Sequence, residues 1–307
     1  MAKFIRNIVI SLLVVAVILC GIVAVGQIIP NQNKYTIYGA INDKYDALSK
    51  RDKPAVILVG GSNSSYGFNS ESISKEMGMP VINLGLNAGM KMDFYLNMVK
   101  ANVMKGDIIV LALEYSMYID DYMNESVTWY VIDNNKTLMK MVPGSDVFNL
   151  VRYYPLALTE KIISFVKGPN PVPKSESARR DAYNEYGDYA YPREKNIMTD
   201  ESPRVEISDK VISDRSMKSL KEFNEYCRGK GAEVYASWPS IDELFVKVNK
   251  SRDFENYYKK NTGIKIISKI DDYIMPSEYF YNTLYHLNDK GAKIRTANLI
   301  RDLKNAK

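Results

Sequence analysis

Pro54–Ser70 reads PAVILVGGSNSSYGFNS. Ala55–Val59 is a short, almost wholly apolar run, the pattern of a strand buried on both faces in a parallel sheet. The run breaks at Gly60-Gly61 and presents Ser62. Asn63, Ser64, Ser65 and Tyr66-Gly67-Phe68 follow, and then a helix start at Asn69 or Ser70 with Glu71 in its first turn. A strand, a glycine turn, a serine and a helix N-terminus in that order put a hydroxyl at the carboxyl edge of a sheet. Open α/β folds place their ligands there, and backbone N–H groups at that edge can stabilise a developing oxyanion. Taken alone, the stretch is equally an ordinary glycine-serine turn with Ser62 as its cap. His286, the only histidine of the chain, lies far away in YFYNTLYHLNDKG, just before the last expected helix. It tilts the reading toward chemistry.

N-terminal to this stretch, Ile8–Val25 is uncharged and apolar except for Ser11, Cys20 and Gly21. It is long enough to span a bilayer and longer than the apolar region of a usual signal peptide. Lys3 and Arg6 precede it, so the positive-inside rule puts the N-terminus in the cytoplasm and everything after Pro30 outside. An uncleaved single-pass anchor in the cell membrane, with the catalytic domain extracellular, is the expectation. Ala24-Val25-Gly26 makes a poor peptidase site, and Leu19 is too bulky to precede a lipoprotein cysteine at Cys20. Residues 1–30 are read as cytoplasmic tip and anchor, 31–53 as a stalk leading into a short helix that packs on the domain, and 54–307 as the domain itself.

Within the domain, strands are expected at Ala55–Val59, Val81–Leu84, Asp107–Leu113, Ala232–Ser237 and Ile264–Ile267. Helices are expected near Ser70–Met77, Met90–Met104, Ser208–Lys230, Ile241–Lys260 and Asp289–Lys304. This alternation predicts right-handed βαβ crossovers and an α/β, three-layer, doubly wound parallel sheet of flavodoxin-like type. DIIVLAL is the longest apolar run of the soluble part and should be the central strand. An insertion at about 118–204 interrupts the pattern. It carries an apolar helix from about Ser145 to Val166 that leaves little room for a polar face. The reading is core or domain packing, with a membrane-surface or partner-binding role as the alternative.

Composition narrows the classes. The chain has 307 residues, 46% of them hydrophobic, and a net charge of +5 with lysines and acids interspersed. That gives no nucleic-acid stripe. Two cysteines, one inside the apolar anchor, imply no disulfide framework. One histidine and no CxxC argue against a zinc site. Gly60-Gly61-Ser62 lacks the third glycine of a dinucleotide fingerprint, and no acid ends the second strand. No cofactor is implied.

Three blocks carry a resemblance to the SGNH (GDSL-like) hydrolases, in particular to the membrane-anchored bacterial branch that modifies cell-surface polymers. Gly60-Gly61-Ser62 is similar to the family's Gly-Asp-Ser, with Gly61 in place of the acid. Asn83-Leu84-Gly85-Leu86-Asn87-Ala88-Gly89 matches the glycine block after the second strand, and His286-Leu287 the motif before the C-terminal helix. Asn184-Glu185-Tyr186-Gly187-Asp188 also looks like a segment of this branch. The resemblance implies a serine esterase or O-acyltransferase acting on a cell-surface polysaccharide or teichoic-acid-like polymer, often beside a multi-pass membrane acyltransferase. Ser62 is then the nucleophile, with Ser64 and Ser65 as rivals, and His286 the base. The family usually carries an aspartate three or four residues before the histidine; here Thr283 and Asn282 stand there. Asn282 can fix the tautomer but supplies no charge; Asp271, Asp272, Glu278, Glu114 or a backbone carbonyl are the other possibilities. The oxyanion hole implied is the N–H of Ser62 with that of Gly85, plus the Asn87 amide; Asn63 is a weaker candidate for that amide. The family's Gly-x-Asn-Asp block is absent, since the third strand ends in Leu113-Glu114-Tyr115. Trp238-Pro239 could wall the pocket. The alternatives are a catalytically degenerate partner or glycan-binding subunit of a membrane acyltransferase system, and a deacetylase using the same residues.

Overall fold

The protein is described from a computed structural model, which covers residues 1–119, 124–169, 171–198, 204–248 and 251–306. In chain order the helices are α1 Ala2–Ile28, α2 Ala40–Ser49, α3 Ser62–Gly67, α4 Ser70–Met77, α5 Met92–Lys100, α6 Glu125–Asn134, α7 Gly144–Lys167, α8 Asp214–Gly229, α9 Ser251–Thr262 and α10 Asp289–Ala306. The strands are β1 Val56–Val59, β2 Val81–Asn83, β3 Ile108–Leu111, β4 Val205–Ile207, β5 Glu233–Ala236, β6 Ile241–Asp242, β7 Val246–Val248, β8 Lys265–Ile266 and β9 Ile274–Met275.

Five of these strands form one parallel sheet in the order β2-β1-β3-β5-β8. They are the five expected from the sequence, and DIIVLAL supplies the central one. Because side chains alternate across a strand, each strand feeds two cores. Val56, Leu58, Ile108 and Val110 pack with Ile73 of α4 and Leu299 and Leu303 of α10. Ile57, Val59, Ile109 and Leu111 face Met98 and Val99 of α5 and Leu220 and Phe223 of α8. Helices therefore cover both faces, as a parallel sheet requires. The chain order reverses between β1 and β3, which makes the gap beyond their carboxyl ends the topological switch point.

Three sequence expectations are corrected. No α-helix occupies the first part of Ile241–Lys260: Ile241–Asp242 and Val246–Val248 pair instead with β9 and β4 around a single 3-10 turn, and α9 starts at Ser251; residues 249–250 lie outside the described residues. Asn69 does cap α4, accepting from Ser72 N–H at 2.8 Å, but a separate short helix, α3, precedes it. Third, the Ser145–Val166 segment is helical, running through Pro155 as α7, yet Phe148, Val151, Leu156, Ile162, Ile163 and Val166 are exposed rather than core. The insertion at about 118–204 includes 120–123, 170 and 199–203, which lie outside the described residues.

Within 31–53, helix α2 packs on the domain through buried Ala40, Ile41, Lys44 and Leu48. Helix α1 is long and apolar enough to cross a membrane, and Gly26 is its one buried residue. At about 1.5 Å per residue it exceeds the ~30 Å hydrocarbon thickness.

At the amino edge of the sheet, Asp107 accepts Ala55 N–H at 2.9 Å and Met104 N–H at 2.7 Å, and pairs with Arg51, which is almost fully buried like Asp107 itself. Removing one partner of a buried pair strands the other. Asp107→Ala is expected to lower unfolding stability by about 3–5 kcal/mol. Lys50→Ala, on the exposed Lys50–Asp46 pair, should leave it nearly unchanged. Chemical denaturation of the full chain in detergent checks both.

Candidate active site

Ser62 opens α3 immediately beyond the carboxyl end of β1, at the switch point. The turn before it needs glycine for space: a Cβ on Gly61 would meet the Glu114 carboxylate and lie 2.9 Å from Ala88 Cβ. The carboxylate that presses against Gly61 comes from the end of β3. Glu114 is buried and accepts Asn63 N–H at 3.1 Å, while Asn63 Nδ2 donates to Ala112 O at 2.7 Å. The Ser62 turn is thereby strapped to the neighbouring strand. Ser62 Oγ lies 3.4 Å from Glu114 Oε1.

His286 reaches Ser62 from the other end of the chain. An isolated antiparallel bridge between Phe280 and Leu287, with Tyr281 N–H donating to His286 O at 2.8 Å, closes the loop that carries it. His286 Nε2 is 2.7 Å from Ser62 Oγ, and Nδ1 is 2.8 Å from Asn282 Oδ1. Since Asn282 Oδ1 can only accept, the network assigns the proton to Nδ1 and leaves the Nε2 lone pair for the Ser62 hydroxyl. Ser62, His286 and Asn282 are brought together as one chain of hydrogen bonds. Asp271, Asp272 and Glu278 make no hydrogen bond to the ring among the described residues.

Two residues that the sequence reading did not single out shape this site. The Tyr66 ring stacks on the imidazole at 3.9 Å and 8°, and on Tyr189 at 4.1 Å. Arg193 lies over Tyr66, donates to Tyr66 O at 2.9 Å and pairs with Asp289. Tyr66 is four residues after Ser62, so one helical turn places both on the same face; a recognised α3 would have shown it. Burial first, and the Arg193 charge second, push the His286 pKa well down from its usual 6.5. The ring is thus neutral, and able to accept a proton, down to acidic pH.

The rival hydroxyls are occupied or turned away. Ser64 and Ser65 are fully buried; Ser65 donates to Gly85 O, and Ser64 Oγ meets no partner. Among the oxyanion candidates, Ser62 N–H has no acceptor among the described residues. Gly85 N–H donates to Asn83 Oδ1 at 3.0 Å, so in this geometry it is engaged elsewhere. Gly85 instead lies close against the serine turn, where a Cβ would stand 2.7 Å from Ser64 Cβ. Asn87 accepts Gly89 N–H at 2.8 Å through Oδ1 and is half-buried beside Ala88. Asn63 is committed to Ala112. Trp238 is buried against Phe254 and Tyr258, with its indole N–H on Ser268 O at 3.1 Å, and serves the core rather than a pocket wall.

The Asn184–Asp188 segment buttresses the site from behind. Asp188 accepts Ser70 N–H at 2.6 Å and Asn83 Nδ2 at 2.9 Å, and Tyr189 N–H donates to Ser65 O at 2.9 Å. Lys44, buried with its pKa pushed down to about 7 by desolvation, donates to Asn83 O at 3.0 Å and to Gly187 O. Among the described residues no cluster of three or more His, Cys, Asp or Glu could hold a metal ion.

No protein-family model and no curated protein matches this chain.

Burial raises the Glu114 pKa to about 7, against the lowering effect of Asn63 N–H and Ser62. A carboxyl whose folded pKa is raised contributes stability fully present below its unfolded pKa of 4.5 and lost as pH rises through about 7. At ~1.4 kcal/mol per pH unit the ionised form costs roughly 3 kcal/mol. Glu114→Gln keeps an acceptor for Asn63 N–H but cannot ionise. Lys44, whose lowered pKa favours the fold as pH rises above about 7, is common to both proteins, so denaturation at pH 5.5 and 8.5 should show wild type losing stability at the higher pH relative to the variant.

Proposed function

We propose that this chain is a membrane-anchored serine esterase or O-acyltransferase of SGNH type, working on the extracytoplasmic side on a cell-surface polysaccharide or teichoic-acid-like polymer. The observation that carries this reading is the unbroken Ser62–His286–Asn282 chain, 2.7 and 2.8 Å, at the switch point of a parallel sheet. α1, long enough to cross a membrane, supports the location.

Ser62 Oγ attacks the acyl carbonyl carbon as its proton passes to His286 Nε2. The carbonyl oxygen becomes an oxyanion, with the Ser62 N–H as a free donor. Collapse expels the donor alkoxide, which takes the proton back from Nε2 and leaves an acyl-Ser62 ester. A second hydroxyl, of a glycan or of water, then gives its proton to the same nitrogen and attacks the ester, expelling Ser62 Oγ, which takes that proton back from Nε2 and leaves the acylated glycan or the free acid. Asn282 holds the tautomer throughout but supplies no charge for the imidazolium; in serine proteases that loss costs about 10⁴ in rate. Glu114, ionised, is the negative charge nearest the pair.

A second reading, a catalytically degenerate partner or glycan-binding subunit beside a membrane acyltransferase, is favoured by Asn282 standing where an acid would be and by the engaged Gly85 N–H.

Labelling of the full chain in membranes with a fluorophosphonate probe separates the two readings. Wild type should label; Ser62→Ala should not, and His286→Ala should label about 10²–10⁴ times more slowly. In cells, Ser62→Ala should lower the acyl content of the surface polymers. A folded wild type that never labels, or surface acylation indifferent to Ser62, favours the binding subunit. The pH profile adds a check on Glu114: the labelling rate should rise through about pH 7 in wild type and stay flat there in Glu114→Gln.

A further inference from the structure

Helix α7 leaves most of its large apolar side chains in the open. On a wheel of 100° per residue, Phe148, Val151, Leu156, Ile162, Ile163 and Val166 fall on one side, and all six are exposed, Phe148 by 74% and Val166 by 79%. The inward side is mixed: Leu150 and Leu158 are buried there, and every other inward anchor is polar or aromatic. Asp146 is buried and pairs with Lys91 at 3.2 Å. Lys161 pairs with Asp133 at 2.8 Å. Glu160 accepts from Tyr130 at 3.1 Å and from Ser126 and Tyr153 at 3.4 Å. Trp129 donates its indole N–H to Leu150 O at 2.9 Å. A soluble protein gains nothing by hydrogen-bonding a helix's polar face and leaving its apolar face to water.

The position of that face names its occupant. α7 meets α1 at the end of the membrane-length helix. Lys161 Nζ donates to Gly26 O at 3.1 Å, a Cβ on Gly26 would lie 2.8 Å from Leu158, and Tyr154 hydrogen-bonds Gln27. Since Gly26 is the one buried residue of α1, α7 crosses its mouth rather than running along it. Trp129 and Tyr154, rings 4.8 Å apart, gather at this junction as aromatic side chains do at a bilayer boundary. The charges left exposed here, Lys136, Lys140, Arg152 and Lys167, are cationic, while both acids of α7 are turned inward and paired.

We propose that α7 lies in the plane of the bilayer surface at the Gly26 end of α1, its exposed apolar stripe sunk into the headgroup–acyl boundary of anionic lipid. An interfacial helix of this kind buries its stripe about 5–10 Å deep. With α1 it fixes the domain to the membrane at two places instead of one. The inference rests on α1 spanning the bilayer, and its test reads that separately.

The full chain, carrying Cys20→Ser and with Cys227 buried, would be reconstituted into phosphatidylcholine/phosphatidylglycerol vesicles. Single cysteines at Phe148, Val151, Ile162 or Val166 would carry an environment-sensitive fluorophore, with Val14→Cys reporting on α1 and Lys75→Cys on exposed surface. Circular dichroism matching the parent keeps each variant in the comparison. The α7 labels are expected to lose fluorescence to a lipid-borne quencher and to be spared by aqueous iodide, with Lys75→Cys behaving in reverse. Quenching of the α7 labels by iodide as at Lys75 overturns the proposal, because no protein partner is present to substitute for lipid. Shielding from both quenchers overturns it in favour of a second copy. Failure of the lipid quencher at Val14→Cys removes the membrane-spanning reading of α1 and the proposal with it.

Discussion

The candidate site depends on one steric constraint, the absence of a side chain at Gly61. That vacancy lets the Glu114 carboxylate from the end of β3 press against the turn after β1, and from there accept Asn63 N–H. Asn63 in turn binds Ala112 O, so the first turn of α3 is tied to β3 by two hydrogen bonds from one residue. Ser62, lying between Gly61 and Asn63, has little freedom left. A hydroxyl held this way needs only a base delivered to it. The Tyr66–Tyr189 stack performs the delivery by giving the imidazole a flat surface to lie on. The cost is a buried carboxylate beside the serine, and Glu114 carries it as a raised pKa.

A second layer explains why the strap holds. Asn83, at the end of β2, offers both ends of its amide: Oδ1 to Gly85 N–H, Nδ2 to Ser64 O and Asp188. Lys44 closes the same cluster from α2, donating to Asn83 O and Gly187 O. Buried polar groups so connected are worth more than their pairwise sum, because each unpaired member would pay full desolvation. The helix after the expected stalk is therefore part of the site's foundation. Lys44 is a strange residue to bury until its three oxygen partners are counted.

The five strands were legible because each is a short apolar run ended by glycine, polar residues or proline, and burial on both faces leaves no other pattern. Ser62 and His286 were legible for a different reason: a lone histidine has no competitor. What escaped the sequence was set by tertiary geometry. Nothing in Leu113-Glu114-Tyr115 announces that Glu114 fills the space over Gly61, although the missing side chain at Gly61 is the trace it leaves. The segment Ile241–Val248 reads as helix by composition, yet parallel pairing with β4 and β9 overrides weak propensity there. The resemblance implies Gly85 N–H as a donor, whereas the Asn83 side chain two residues earlier already accepts it.

Helix α7 shows the limit of periodicity most directly. The 3.6-residue pattern locates an apolar stripe but carries no sign: it cannot say whether the stripe points toward the protein or away from it. Direction is decided by what the other face can bind. Here the other face holds, beside the buried Leu150 and Leu158, Asp146, Glu160, Lys161 and Tyr154, each with a partner on α6, on the last turn of α1 or in the loop before α5. Once those polar groups are satisfied inward, the stripe must face outward, and the six apolar side chains follow from the ion pairs rather than competing with them. Desolvating Asp146 or Glu160 without partners would cost several kcal/mol, comparable with what burying two or three of the apolar side chains would return. The inward polar network is therefore strong enough to set the helix's rotation. A helix held in that rotation presents its oily face beside the Gly26 end of α1, the helix that is long and apolar enough to cross a membrane.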